Sequence, residues 1–146
     1  MHIRFAHIED FDQLLSLLRQ LNPEDSFATE IQSKVFREIL ASEHLELVVA
    51  EQAGSLTGSC YLNIIPNLSR GGKPYALIEN VITDPNHRRR GIGRQLITFA
   101  LAEAWRRDCY KVMLMSGRRD ERVHRFYRDC GFDDKAKQAY IIRAPG

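Results

Sequence analysis

Cysteine is scarce in this chain: Cys60, Cys109 and Cys130 are odd in number, far apart and without a C-x-x-C pair. That spacing argues against a disulfide framework and against a cysteine-based zinc or redox centre. Long apolar runs are missing as well. No stretch approaches the ~18 apolar residues of a membrane span. The opening Met1-His2-Ile3-Arg4-Phe5 lacks the apolar core of ~7 to 15 residues that a secretory signal needs. Nine glycines and five prolines are too few for a collagen-like repeat. Charge of either sign is nearly balanced, 21 basic against 19 acidic residues, for a formal net charge of +2. What is present is 146 residues, 44% apolar and 27% charged. That composition fits one domain over residues 1–146, able to bury about two-thirds of its unfolded surface. The expectation is a soluble, cytoplasmic protein with no membrane contact and no bound metal.

Hydrophobic spacing gives the element order. Ile3 to Ala6 reads as a strand, and Phe11, Leu14, Leu15, Leu18 and Leu21 recur at helical spacing until Asn22-Pro23. Ile31, Val35, Phe36, Ile39 and Leu40 mark a second helix, with Ser26 or Thr29 offering its cap. Leu45 to Glu51 and Leu56 to Ile65 form a hairpin about Ala53-Gly54, and Tyr75 to Thr83 is a further strand after a loop over Pro66 to Pro74. From Ile92 onward, Leu96, Ile97, Ala100, Leu101 and Ala104 make one apolar stripe. Lys111 to Met115 is a short strand. Asp120 to Cys130 is a helix stopped by Gly131, and Tyr140 to Arg143 is a last strand. The order β-αα-βββ-α-β-α-β implies a single mixed α/β domain.

The stretch that carries chemistry is Asn86-His87-Arg88-Arg89-Arg90-Gly91-Ile92-Gly93-Arg94, between a strand and the best-defined helix. Glycines let a backbone approach a ligand closely, and the free N–H groups of a helix start favour an anion. Four arginines and no carboxylate stand between His87 and Arg94. The positive field is therefore concentrated here. A dinucleotide fold would need a third glycine where Leu96 stands and an acidic residue near Lys111-Val112-Met113. A P-loop would need Gly-Lys-Ser or Gly-Lys-Thr, whereas Gly72-Lys73 precedes Pro74. Both readings fail.

What remains is R-x-x-G-x-G, from Arg88 to Gly93, after the strand Leu77-Ile78-Glu79-Asn80-Val81-Ile82. Downstream come Tyr110-Lys111-Val112-Met113-Leu114-Met115 and then Phe126-Tyr127-Arg128-Asp129-Cys130-Gly131-Phe132, similar to an F-Y-x-x-x-G-F signature. In these features, over about residues 75 to 132, the chain resembles the GNAT superfamily of acetyl-CoA-dependent N-acetyltransferases. Ile78-Glu79-Asn80-Val81 and Cys109-Tyr110-Lys111 are similar to pieces of glucosamine-6-phosphate acetyltransferases, and Arg119-Asp120 to Phe126-Tyr127 to aminoalkylphosphonate acetyltransferases.

The resemblance implies a mostly antiparallel sheet flanked by helices, and a homodimer. It implies a V-shaped gap between the strands at Val81-Ile82 and Lys111-Met115 that admits pantetheine like an added strand. Acetyl-CoA would be held by Val81, Ile82, Arg88, Arg89, Arg90, Gly91, Ile92, Gly93 and Arg94. Ser116, Arg119, Asp120, His124 and Tyr127 would complete its site. Ser116-Gly117 departs from the asparagine common at that place in the family. Glu79, between apolar neighbours, is the candidate general base for a protonated amine. An ion pair within the sheet would account for the same residue. Tyr127 matches the family's catalytic tyrosine and would protonate the leaving thiolate, a phenol of pKa about 10 being a serviceable donor. On its own stripe with Val123, Phe126 and Cys130 it would read as packing. Leu21 to Thr29 and Pro66 to Pro74, with Arg70 and Lys73, are the expected acceptor-side walls.

The predicted activity is acetyl transfer from acetyl-CoA to a primary amine of a small molecule in a ternary complex. The alternatives are a protein N-terminal or lysine acetyltransferase, a CoA sensor, or a nucleic-acid-binding module. The last rests on Arg118, Arg119, Arg122, Arg125 and Arg128 against Asp120 and Glu121. No helix-turn-helix, zinc-finger or RNA-binding motif supports it.

Overall fold

The computed structural model describes residues 1–26 and 28–146, so Phe27, within the expected acceptor-side wall, lies outside the described residues. The chain divides into two compact units, Met1–Leu114 and Met115–Gly146.

The first unit is a five-stranded sheet in the order β1-β2-β3-β4-β5, with β1 His2–Phe5, β2 Leu45–Gln52, β3 Ser55–Ile65, β4 Tyr75–Thr83 and β5 Val112–Leu114. The first four strands pair antiparallel and β5 joins β4 in parallel. The β2–β3 hairpin turns on Ala53 and Gly54, whose φ of 51° and 80° are the left-handed pair whose twist matches adjoining strands. Helices α1 (Phe11–Leu21) and α2 (Thr29–Ala41) lie between β1 and β2, and α3 (Ile92–Arg106) makes the crossover from β4 to β5.

The alternation of β3 sends apolar groups to both faces. Leu14 and Leu17 of α1 and Phe36 of α2 pack with Leu47, Val49, Leu56 and Ile82. Leu96, Ile97, Ala100 and Ala104 of α3 are buried to 1% exposure or less, as the stripe predicts. The α2 stripe is narrower than its spacing suggests. Only Phe36 is fully buried, while Ile31 and Val35 stay 66% and 44% exposed. Neither Ser26 nor Thr29 caps α2: Ala28 is its N-cap and Thr29 its first residue.

Gly58 sets the position of α3. A Cβ there would stand 2.9 Å from Ile92 Cγ2 and 3.0 Å from both Ile82 O and Leu96 Cδ1. Only glycine lets the first turns of α3 sit this close to β3 and β4.

The second unit contains α4 (Glu121–Asp129), which stops as the sequence predicts. Gly131 has φ of 100°, its N–H donates to Arg128 O at 2.8 Å, and the Phe132 N–H donates to Tyr127 O at 3.1 Å. These two bonds are the Schellman pair, and the Tyr127 and Phe132 rings meet edge-on at 6.3 Å as its apolar contact. The expected strand over Tyr140–Arg143 is not formed. Those residues carry no regular structure, and Tyr140, Ile141 and Ile142 are 77% or more exposed. Strand propensity is realised only where the segment pairs with a neighbour, and these residues form no ladder among the described residues.

Candidate active site

After β4 the chain makes a single 3-10 turn, Pro85–His87, built on Asp84. Asp84 Oδ1 accepts from the Asn86 N–H at 2.8 Å, which holds its carboxyl below the ordinary range, and the Asp84 N–H donates to Thr57 O at 2.9 Å. The turn is thereby tied to β3. Arg89 (φ 63°) and Gly91 (φ 78°) then take left-handed conformations, so the backbone reverses twice before α3 begins. Gly91 is the N-cap and has no side chain to cap with, and the first turn of α3 holds no acidic residue. The first helical hydrogen bond runs from the Gln95 N–H to Gly91 O at 3.0 Å. The N–H groups of Ile92, Gly93 and Arg94 thus lack intrahelical partners. Arg88, Arg89, Arg90 and Arg94 are exposed, and among the described residues none of them forms an ion pair. Positive charge, free N–H donors and the positive end of the α3 dipole converge here. An atom placed at the Cβ of Gly91 would meet nothing within 4 Å, so the space above this backbone is open. A pyrophosphate fits that chemistry.

The second component is a defect in β4. Tyr61 pairs with Glu79 and Ser59 with Ile82, so one residue of β3, Cys60, faces two of β4, Asn80 and Val81. This is a β-bulge. Asn80 carries it with φ of 53°, a left-handed value that asparagine tolerates better than most residues. Pairing with β5 ends nearby, with Ile78 opposite Leu114. From Glu79 to Thr83 the edge of β4 has no strand partner among the described residues. An edge without a strand partner at Val81 and Ile82 is what the expected gap requires. Glu79 is half-buried, and no ion pair or side-chain hydrogen bond engages it among the described residues. The sheet ion pair that would have explained it structurally is not formed.

In the second unit Asp120 is the N-cap of α4. Its Oδ1 accepts from the Arg122 N–H at 2.9 Å and its carboxylate also holds the Arg122 guanidinium at 3.3 Å. Arg128 pairs with Glu121, and with Asp134 at 3.0 Å. Two of the five arginines that suggested a nucleic-acid surface, Arg122 and Arg128, are engaged within the unit. Ser116 and Arg119 are exposed, while His124 and Tyr127 are half-buried on α4. Tyr127 lies between the rings of Phe126, at 5.0 Å, and Phe132.

Two of the cysteines are held as thiols. Burial pushes Cys60 up to about 12 and also raises Cys109. Arg70 does not face the unpaired edge: it lies over the Tyr110 ring at 5.5 Å, beside Tyr75 at the start of β4. That is about 13 Å along the strand from Glu79, at ~3.3 Å per residue.

Sequence reasoning missed three features. A glycine inside β3 was the signal for the close approach of α3, and an asparagine among β-branched residues was the signal for the bulge. The third is a cavity of about 150 Å³ between α1, α2 and the sheet, walled by residues such as Phe11, Leu14, Val35, Phe36, Tyr61 and Asn80. It could not be read from spacing, because its walls come from five separate elements.

Comparison with known proteins places this geometry in an enzyme class, the acyltransferases. The model of the acetyltransferase (GNAT) family matches residues 11–132, and the chain belongs to that family of N-acetyltransferases. A glucosamine 6-phosphate N-acetyltransferase of Trypanosoma brucei brucei is 35% identical over 88 residues, 60% of this chain and 58% of that protein, so the match spans less than two-thirds of that relative. Glucosamine 6-phosphate N-acetyltransferase 1 of Oryza sativa subsp. japonica is 30% identical over 140 residues, covering 93% of this chain and 83% of its own. The structure of an acetyltransferase candidate from Agrobacterium tumefaciens superposes with a TM-score of 0.93 at 41% identity, over 99% of this chain and 100% of that one. No helix among the described residues is long and apolar enough to cross a membrane.

Proposed function

We propose that residues 1–146 form one acetyltransferase domain that moves an acetyl group from acetyl-CoA to the primary amine of a small molecule by direct attack in a ternary complex. The observation that carries this reading is the unpaired edge of β4 running into an uncapped, arginine-flanked helix start. The backbone of Arg89 to Arg94 would hold the pyrophosphate through N–H groups, with the four guanidiniums adding charge. Val81 and Ile82 would pair with the pantetheine arm, and Ser116, Arg119, Asp120 and His124 would complete the site. Bound acetyl-CoA supplies an activated acyl group. The Val81 N–H would donate to the carbonyl oxygen as negative charge develops there. Glu79 would take the proton that an ammonium must lose before its nitrogen can attack, directly or through water. Tyr127 would donate its phenolic proton to the departing thiolate. Direct attack is supported by Cys60 and Cys109, whose raised pKa values disfavour an acetyl-cysteine route. No step requires a metal. A homodimer is the assembly the resemblance implies, and light scattering tests its stoichiometry.

The test is release of free CoA thiol from acetyl-CoA across a panel of amines, with calorimetry of acetyl-CoA binding alongside. Turnover that requires both partners is the expected result. Failure of the folded chain to bind acetyl-CoA would remove the reading, and binding without turnover on any amine would favour a sensor.

A further inference from the structure

The relatives named for glucosamine 6-phosphate suggest a phosphorylated, strongly polar acceptor, and the cavity between α1, α2 and the sheet has the opposite chemistry. Its walls carry Phe11, Leu14, Leu18, Phe36 and Ile39, and no charged side chain lines it among the described residues. A phosphate placed there would have no cation, and the cost of burying an unpaired charge is prohibitive. The nearest basic groups considered for that purpose, Arg70 and Lys73, belong to the loop at the far end of β4, and Arg70 is occupied by Tyr110. A cavity of about 150 Å³ lined by aliphatic and aromatic groups is large enough for one benzene ring.

The cavity is not wholly apolar. Gln32 Oε1 is buried without a hydrogen-bond partner, alone in this respect among the described residues. A buried acceptor left unpaired is a cost that native structures seldom carry without a ligand or water to meet it. Tyr61 and Asn80 also border the space, and neither side chain has a hydrogen-bond partner among the described residues. Burial raises the Tyr61 phenol, keeping it a donor. Position along the strands connects this cavity to the chemistry. Asn80 is the bulged residue next to Glu79, and Tyr61 is the register partner of Glu79. Two lining residues are thus the chain neighbour and the register partner of the carboxylate assigned to deprotonate the amine.

We propose that this cavity is the acceptor pocket and that the acceptor is a primary amine with an uncharged apolar body of about one ring, carrying one group that hydrogen-bonds to Gln32. The proposal rests on the acetyltransferase reading above and narrows it to a substrate class. Linear and aryl-substituted primary amines of increasing length are assayed with acetyl-CoA, beside glucosamine 6-phosphate and a short peptide with a free N-terminus. At about three- to fourfold per buried methylene, kcat/KM should climb with each carbon until the cavity is full and then level off. A benzylamine-type acceptor should exceed glucosamine 6-phosphate by at least about tenfold.

Val35→Trp, at the partly exposed rim, should raise KM for the aryl amine about tenfold or more without changing acetyl-CoA affinity. Gln32→Leu removes the orphaned acceptor and should raise Tm while weakening acceptors that can donate to it. Methyl NMR of Leu14 and Ile39 reports occupancy independently of turnover. A preference for the sugar phosphate or the peptide, or a flat dependence on chain length, would overturn the proposal and leave the acetyltransferase reading intact. Binding of aryl amines with no turnover of any amine would overturn both.

Discussion

Two helices in this protein begin among arginines, and they begin differently. Helix α3 follows Arg88, Arg89 and Arg90 with a glycine N-cap, no acid in its first turn and, among the described residues, no ion pair on Arg88, Arg89, Arg90 or Arg94. Helix α4 follows Arg118 and Arg119, but Asp120 caps it, Glu121 opens it, and Arg122 and Arg128 are paired to carboxylates. The local charge counts look alike in sequence. What separates them is whether the molecule supplies its own anion. Where it does, the dipole and the donors are satisfied internally; where it does not, an external anion is favoured.

The contrast can be broken or sharpened experimentally. The largest effect is expected at the far end of α4, where Tyr127 is held by the helix stop: Tyr127→Phe should lower kcat about a hundredfold with acetyl-CoA affinity nearly unchanged. An unaltered kcat with a good acceptor would remove its role as acid. Next, Gly91→Asp would give α3 the kind of start that α4 has. A carboxylate at the cap should compete with the pyrophosphate and raise the acetyl-CoA Kd about thirtyfold, measured by calorimetry, and a Kd within twofold of the parent would show that the helix start does not hold the ligand. Arg90→Ala should cost less, about three- to fivefold in Kd, because backbone donors remain, and its effect should shrink as salt screens the guanidinium. The smallest effect is Asp120→Ala, a fall of a few degrees in Tm with the loss of a cap. The Arg122 N–H holds the Asp120 carboxyl below the ordinary range. Its contribution is present above that range and lost as pH falls through the lowered value, so parent and variant melting temperatures should converge in acid.

Much of this arrangement was legible beforehand for a definite reason. The Leu96, Ile97, Ala100 and Ala104 stripe, the Gly131 stop and the Arg88–Gly93 loop are local patterns, and local patterns survive folding when nothing tertiary opposes them. Glu79 was legible as a residue type but not in its surroundings, because an absent ion pair is a fact about every other charged group. The α2 face was overread: Ile31 has helical spacing, yet the sheet does not reach it. Tyr140 to Arg143 has strand composition and forms no ladder, because composition alone does not supply a partner. The cavity was invisible because a gap has no residue of its own.

The bulge at Asn80 also governs how β4 counts. Its extra residue lets Glu79 and Ile82, three apart, look toward the same side of the sheet, each opposite a β3 residue of that side, Tyr61 and Ser59. Removing position 80 would restore strict two-residue alternation, with Val81 alone opposite Cys60 and Ile82 still opposite Ser59, so the bend would be lost while the core contact of Ile82 was kept. Exchange of the asparagine for glycine or aspartate keeps the count. At this point in the chain the extra residue therefore shapes the strand edge and leaves the core packing as it is.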